Sequence, residues 1–402
     1  MRFRRTGALA FGLWSSTVLA ADVHTVLSGR ADVRVRSPLP GDRATLLTTD
    51  LELQPNAEVS LAWGTTRLGF QYNPSLLFRE PQLPGNVYLL HRGRAAFTQR
   101  FGRAILVLAQ EAAAGSTDVS ALLPTDGTPT NNASGVQTQG AIPYQRFVSL
   151  ASLDATPAER TSFSLSGGYL ISGSPVSNLS MPLQWGPLAS ARFRATVRRR
   201  NWLTTYAQFM SSTFATGQRQ MVALATESYE RQVTVGLLAS IGAGVALSRE
   251  HIVPLPQGPI PGDYMEILPV AVASVTWRNR VMHSPMLFNV TARLGPFADR
   301  YTALVYERVE GQLSAEWRFE KPWVWLANAG FAYAVPVGFA QQQGDRLYYG
   351  ESGVRWLPFT WLQLGALGRV VWSEQPRLNT PGQLQWLLTL SATVRHERSF
   401  AW

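Results

Sequence analysis

Arginine is the residue type that recurs at chemically useful spacing. Arg92 and Arg94, then Arg192, Arg194 and Arg198, sit on alternate positions of their stretches. Arg293, Arg308, Arg318, Arg355, Arg369 and Arg395 do the same in later stretches. A planar guanidinium grips a carboxylate or phosphate through two parallel N–H bonds. Several on one face of an extended chain make an anion-binding surface. Acids of the same parity are fewer: Glu266, Glu310, Glu316 and Glu351. Catalytic chemistry has weaker support. Cysteine is absent, which removes thiol nucleophiles, disulfide frameworks and Cys-ligated zinc. His24, His91, His251, His283 and His396 have no Ser or Asp around them at motif spacing, and no P-loop, His-Glu-x-x-His or EF-hand pattern occurs. No catalytic, cofactor-binding or metal-ligating residue is assigned, and no cofactor is expected.

The elements that carry these arginines are strands. Only 15% of the 402 residues are charged, against about 25% in soluble domains. The 33 Gly and 25 Pro oppose a helical protein. From Arg300 to Glu320, apolar Tyr301, Ala303, Val305, Val309, Leu313, Ala315, Trp317 and Phe319 alternate with Arg300, Thr302, Arg308, Glu310, Gln312, Ser314, Glu316 and Arg318. Glu307 is the exception on the apolar side. Period two is the signature of a strand with one apolar face. The same pattern recurs at 162–169, 192–198, 286–294, 362–372 and 384–395, and is poor at 144–154, 202–213 and 219–229.

Residues 1–21 read as a secretory signal peptide: Arg2, Arg4 and Arg5, an apolar stretch, then Val18-Leu19-Ala20-Ala21. Its removal lowers the formal net charge of +10 by three. Nothing after it is an apolar run long enough for a membrane helix. Residues 22–43 read as a periplasmic N-terminal segment and 44–402 as strands. Turn signals divide the latter into about 18 strands, with 16 as the alternative; 57–63 and 219–229 are the weakest. Short turns alternate with long Gly/Pro/Ser/Asn-rich connections, the longest at 115–143. Outer-membrane barrels alternate short periplasmic turns with longer external loops in this way. Trp63, Trp202, Trp277, Trp317, Trp323, Trp325, Trp356 and Trp361 lie near the short turns, with Trp402 at the terminus, while Trp185, Trp372 and Trp386 lie near long connections. That distribution predicts two interfacial aromatic girdles rather than a Trp-filled core.

With this patterning, its girdles and a chain ending Ser-Phe-Ala-Trp, the sequence resembles the outer-membrane, porin-like β-barrel class over roughly residues 44–402. The resemblance extends to the barrels that secrete bacterial polysaccharides. It implies an all-β, closed antiparallel transmembrane β-barrel in the outer membrane of a Gram-negative bacterium. Implied partners are lipid and lipopolysaccharide, barrel-assembly machinery reading the last strand, and a periplasmic polysaccharide-export protein.

A barrel of 16–18 strands can hold an aqueous channel. Apolar faces then meet lipid, and the Arg-bearing faces with Glu310, Glu316 and Glu351 line the lumen, where low-dielectric walls focus their field. The expected function is a channel for polar or anionic solutes, including sugar polymers. A polysaccharide-export barrel is the alternative; an outer-membrane enzyme or a structural barrel with a filled lumen are others. Arg–Glu pairing across strands would instead only stiffen the wall. The 115–143 loop either folds inward to narrow the pore or lies on the surface. The distribution of Arg along strands argues against nucleic-acid binding.

Overall fold

A chain that alternates apolar and polar residues through stretches of about fifteen residues can satisfy its backbone in lipid only by closing into a barrel. The computed structural model describes residues 22–37, 47–79, 87–118, 141–176, 182–253, 261–281, 284–299, 304–320, 322–337, 344–375 and 380–401. The expected signal peptide, Trp402, His283 and most of the 115–143 loop (119–140) lie outside the described residues.

Nineteen extended elements follow in order: β1 (Asp22–Arg36), β2 (Thr48–Trp63), β3 (Thr66–Tyr72), β4 (Ser75–Arg79), β5 (Val87–Phe101), β6 (Ala104–Asp118), β7 (Ala141–Ala158), β8 (Thr161–Gly173), β9 (Gln184–Arg198), β10 (Asn201–Phe214), β11 (Arg219–Thr234), β12 (Leu237–Ile252), β13 (Gly262–Val281), β14 (Ser284–Asp299), β15 (Leu304–Glu320), β16 (Trp323–Pro336), β17 (Asp345–Phe359), β18 (Leu362–Gln375) and β19 (Thr380–Ala401). Each pairs antiparallel with its chain neighbour, and β1 pairs with β19 to close the ring. β3 and β4 both lie between β2 and β5 and act as one wall strand broken at Asn73-Pro74, so the barrel has eighteen strands. Gly64 and Gly102 adopt φ +55° in the short turns after β2 and β5, a conformation that costs glycine least.

Two sequence expectations are corrected. Residues 22–36 are not a free periplasmic segment: β1 is the closing strand, held by fifteen register pairs to β19, from Asp22↔Ala401 to Arg36↔Leu387. The expected strands 44–53 and 57–63 are one strand, β2. Pro55 lies between them. It stands opposite the break at Pro74, since Leu53 pairs with Leu76 and Ala57 with Tyr72. On that side of β2 the ladder has no rung for its missing N–H to break, while on the other side Pro55 keeps its place opposite Gly29 of β1.

One part of the ring departs from a simple wall. The β13–β14 ladder stops at Ala271↔Leu294, with Pro269 just above on β13 and Pro296 on β14. Proline suits such an edge because it cannot donate to a ladder. Beyond Leu294 the β14 arm of the β14–β15 hairpin pairs only with β15, up to Asp299↔Leu304, while β15 stays paired with β16 from Tyr306↔Pro336 onward and the Val337 N–H donates to the Val305 carbonyl. It leans into the barrel over the inner face of β11–β13. There Val305, fully buried, packs with Val222, Leu224, Ala246, Leu268, Val270 and Val337, with Ala298 against them. The Val305 backbone N–H donates to the Glu250 carboxylate on β12. Apolar side chains on a wall that otherwise faces the lumen are thus covered by a second layer of strand.

Candidate functional site

Register fixes which residues share the inner face. Along Arg34↔Thr389↔Leu367↔Gly353↔Leu326↔Glu316↔Leu287, and around the rest of the ring, directly paired residues point the same way. The opposite face carries exposed Leu27, Phe70, Leu108, Phe193, Ile241, Val370 and Leu390, a continuous apolar exterior. By this count the inner face holds Arg92, Arg94, Arg192, Arg194, Arg293, Arg308, Arg355, Arg369 and Arg395, with Glu310, Glu316 and Glu351. Arg198 and Arg318 have inward parity at the short-turn ends of β9 and β15, where the register shifts.

Sequence reading undercounted the inward acids. Asp32, Asp50, Glu52, Glu111, Glu230 and Glu250 share the inner face, and three of them lie on the strands misread at the N-terminus. They tie down many of the arginines. Arg30 Nε is 2.8 Å from Asp32, Arg36 Nε 2.8 Å from Asp50, and Arg34 pairs with Glu52. Glu52 also accepts from Ser75 and from Gln54 at 2.6 Å. Farther round, Arg194 meets Glu230 at 2.7 Å, Arg94 meets Glu111 at 3.6 Å and Arg308 meets Glu310 at 3.0 Å. Nearer the short-turn rim, Arg318 meets Glu316 at 2.8 Å and Arg395 meets Glu397 at 3.0 Å. Wall-stiffening therefore accounts for a large share of the arginine pattern.

Arg92, Arg293 and Arg355 form no ion pair among the described residues. Each projects into a different cavity of the inner wall. Arg92 lines one of about 370 Å³ bounded by β3 and β5–β7. Arg293 lines another of about 370 Å³, between β7–β11 and the inturned hairpin. Arg355 lines a third of about 420 Å³ along β14–β19 and β1. The other charged lining residues include acids (Glu111, Glu310, Glu316 and Glu351), and Ser, Thr, Gln and Asn supply neutral hydrogen-bonding groups, so each cavity offers one guanidinium without an ion-pair partner among the described residues. At the second cavity the hairpin faces the opposite wall and narrows the lumen. From sequence the 115–143 loop either narrows the pore or lies on the surface, and its residues 119–140 lie outside the described residues; the β14–β15 hairpin is a described element that enters the lumen.

The aromatic residues divide as follows. Trp63, Trp277, Trp317, Trp323, Trp325 and Trp356 carry outward parity near short turns, and Trp361 sits in the turn after β17. Trp323 stacks on Trp356 at 5.7 Å and Phe359 on Trp361 at 5.3 Å. Trp372 and Trp386 lie outward at the other rim. Trp202 is a correction: it shares parity with Thr204 and Ser228, not with Leu203, and faces inward. The Arg194 guanidinium lies 4.7 Å from its ring centre, a cation–π contact inside the short-turn mouth.

Two histidines bridge neighbouring strands. His24 Nε2 lies 2.6 Å from Glu397 across the β1–β19 seam, and His251 Nδ1 lies 2.9 Å from Asp263 between β12 and β13. Among the described residues, no cluster of three or more His, Asp or Glu is arranged to hold a metal ion.

The closed barrel with its apolar, aromatic-rimmed exterior places the chain in the outer membrane of a Gram-negative bacterium. The model of the EpsX exopolysaccharide export family matches residues 16–398. No curated protein sequence matches. Among solved structures, the chain is similar to Pseudomonas aeruginosa OccK9 (OpdG), at 12% identity and a TM-score of 0.49 over 93% of this chain and 98% of that one. It is also similar to Acinetobacter baumannii OccAB3, at 9% identity and a TM-score of 0.49 over 94% and 99% of the two chains.

Proposed function

Because the chain belongs to the EpsX exopolysaccharide export family, we propose that its barrel is the outer-membrane conduit through which an extended, acidic exopolysaccharide leaves the cell. The observation that carries this reading is the set of three lumen cavities, each with one guanidinium that no described acid neutralises. Guanidinium recognises carboxylate in two-point fashion, and amide and hydroxyl side chains exchange hydrogen bonds with sugar hydroxyls in both directions. Spacing the charges over several shallow sites favours entry without trapping, which transit requires. Lipopolysaccharide around the girdles, assembly machinery at β19 and a periplasmic export protein at the short-turn mouth are the partners this reading expects.

Deleting the gene is expected to leave the polymer in the periplasm, measured as sugar in periplasmic extract against culture supernatant, with secretion restored by the wild-type gene. Unchanged secretion in the deletion strain contradicts the proposal.

The charge argument makes a second prediction. In a planar bilayer with a salt gradient, the purified barrel is expected to show an anion-favouring reversal potential. The triple variant Arg92→Gln, Arg293→Gln, Arg355→Gln is expected to move that potential most of the way to zero. These exposed arginines act through a focused lumen field, so both the potential and the effect of the variant shrink as ionic strength rises. A cation preference in the wild type refutes acidic-polymer selectivity.

A further inference from the structure

The cavity beside the inturned hairpin has a nearly buried amide donor in its wall. Gln220, on β11, lines it while only 3% exposed, and its side-chain Nε2 has no hydrogen-bond partner among the described residues. Buried amide donors are almost always satisfied, so an orphan at the wall of a cavity points to a ligand acceptor. Gln184 and Gln208 line the same wall. The Gln208 Oε1 accepts from Tyr206 at 3.1 Å, which orients its amide donor. Arg293 stands on the hairpin side, and Met210 and Phe297 supply apolar surface. The cavity, of about 370 Å³, falls in the range of small-ligand sites.

Resting on the conduit reading above, we propose that this cavity is a saccharide-binding subsite for one acidic sugar unit of the transiting chain. The three glutamine amides meet its hydroxyls, Arg293 meets its carboxylate, and Met210 and Phe297 pack against its C–H surface. Three neutral amides make contacts that form and break easily. The single guanidinium distinguishes a uronate-type unit from a neutral one.

The test uses the purified full-length barrel in a planar bilayer, with a galacturonate hexamer and maltohexaose as probes and the dwell time of current blockade as readout. The wild type is expected to be blocked by both, longer by the galacturonate. Losing a hydrogen bond to a charged group, Arg293→Gln is expected to shorten galacturonate dwell about ten-fold and leave maltohexaose unchanged. Gln220→Leu, close in volume, is expected to shorten both about five-fold through loss of a neutral hydrogen bond. Retention of the folded form on semi-native gels separates these effects from misfolding. Wild-type blockade with dwell times unchanged in both variants overturns the subsite and leaves the conduit reading standing. Absence of blockade by either probe in the wild type overturns both.

Discussion

Val305→Asp is expected to raise single-channel conductance several-fold while the barrel stays folded. Val305 is fully buried, and its N–H is bound to the Glu250 carboxylate. A carboxylate placed there loses its hydration among valines and leucines and stands beside a second carboxylate. Burying such a charge unpaired costs several kcal/mol. The wall ladders do not depend on this contact, since β12 pairs fully with β11 and β13, and β15 pairs with β14 and β16 below Tyr306. The least expensive response is for the hairpin to leave the inner face of β11–β13 and widen the lumen. A semi-native gel showing the folded band, together with higher conductance and greater sensitivity of cells to bulky antibiotics, checks the prediction. Unchanged conductance in a folded variant would mean that the hairpin is not the constriction.

Glu52→Ala is expected to destabilise the barrel by about 3–5 kcal/mol, the usual cost of breaking a buried ion pair from one side. Glu52 is 5% exposed and holds Arg34, Ser75 and Gln54 together across β1, β2 and β4. Removing it leaves the Arg34 guanidinium buried with Asp32, at 3.8 Å, as its one acidic partner among the described residues. The effect is read as a lower temperature of conversion from the compact to the unfolded band in detergent. The double variant Arg34→Met, Glu52→Leu is expected to recover most of the loss, because replacing both partners by apolar groups removes the unpaired charge. If Glu52→Ala melts like the wild type, the β1–β2–β4 network does not stabilise barrel closure.

The barrel and the outward face of most of its strands were legible because a lipid-facing strand must alternate and a lipid-facing tryptophan must sit near a strand end. The strand number came out right through two errors that cancelled. β1 was passed over although Leu27, Ala31, Val33 and Val35 alternate with Arg30, Asp32, Arg34 and Arg36; its closeness to the signal segment made it look like a tail. β2 was split at Pro55, whose harmlessness depends on Pro74 across the ladder and is invisible in one stretch of sequence. Losing β1 hid Asp32 and Arg34, and so hid the partner of Glu52, which lies in the stretch 44–53 read as a strand.

The constriction left a trace that alternation rules discard. Met221 to Ala225 and Ile267 to Ala273 are unbroken apolar runs, as in strands covered on both faces. In a barrel the second face is the lumen, so such runs mark the wall on which an inturned element lies. Glu307, the odd acid on an apolar face, lies in the inturned hairpin, between Pro296 of β14 and Val335 of β16. Trp202 was misplaced because position near a turn was weighed above parity.

Passage of the polymer through this lumen is tested most directly by exploiting the absence of cysteine. Ser314 lines the inner wall on β15, and Leu313 beside it faces lipid. Cells carrying Ser314→Cys or Leu313→Cys would be treated with a bulky, membrane-impermeant maleimide, and polymer secretion followed. Secretion is expected to stop in the labelled Ser314→Cys strain and to continue in the Leu313→Cys strain. Undiminished secretion from cells whose Cys at position 314 is fully labelled would contradict the conduit.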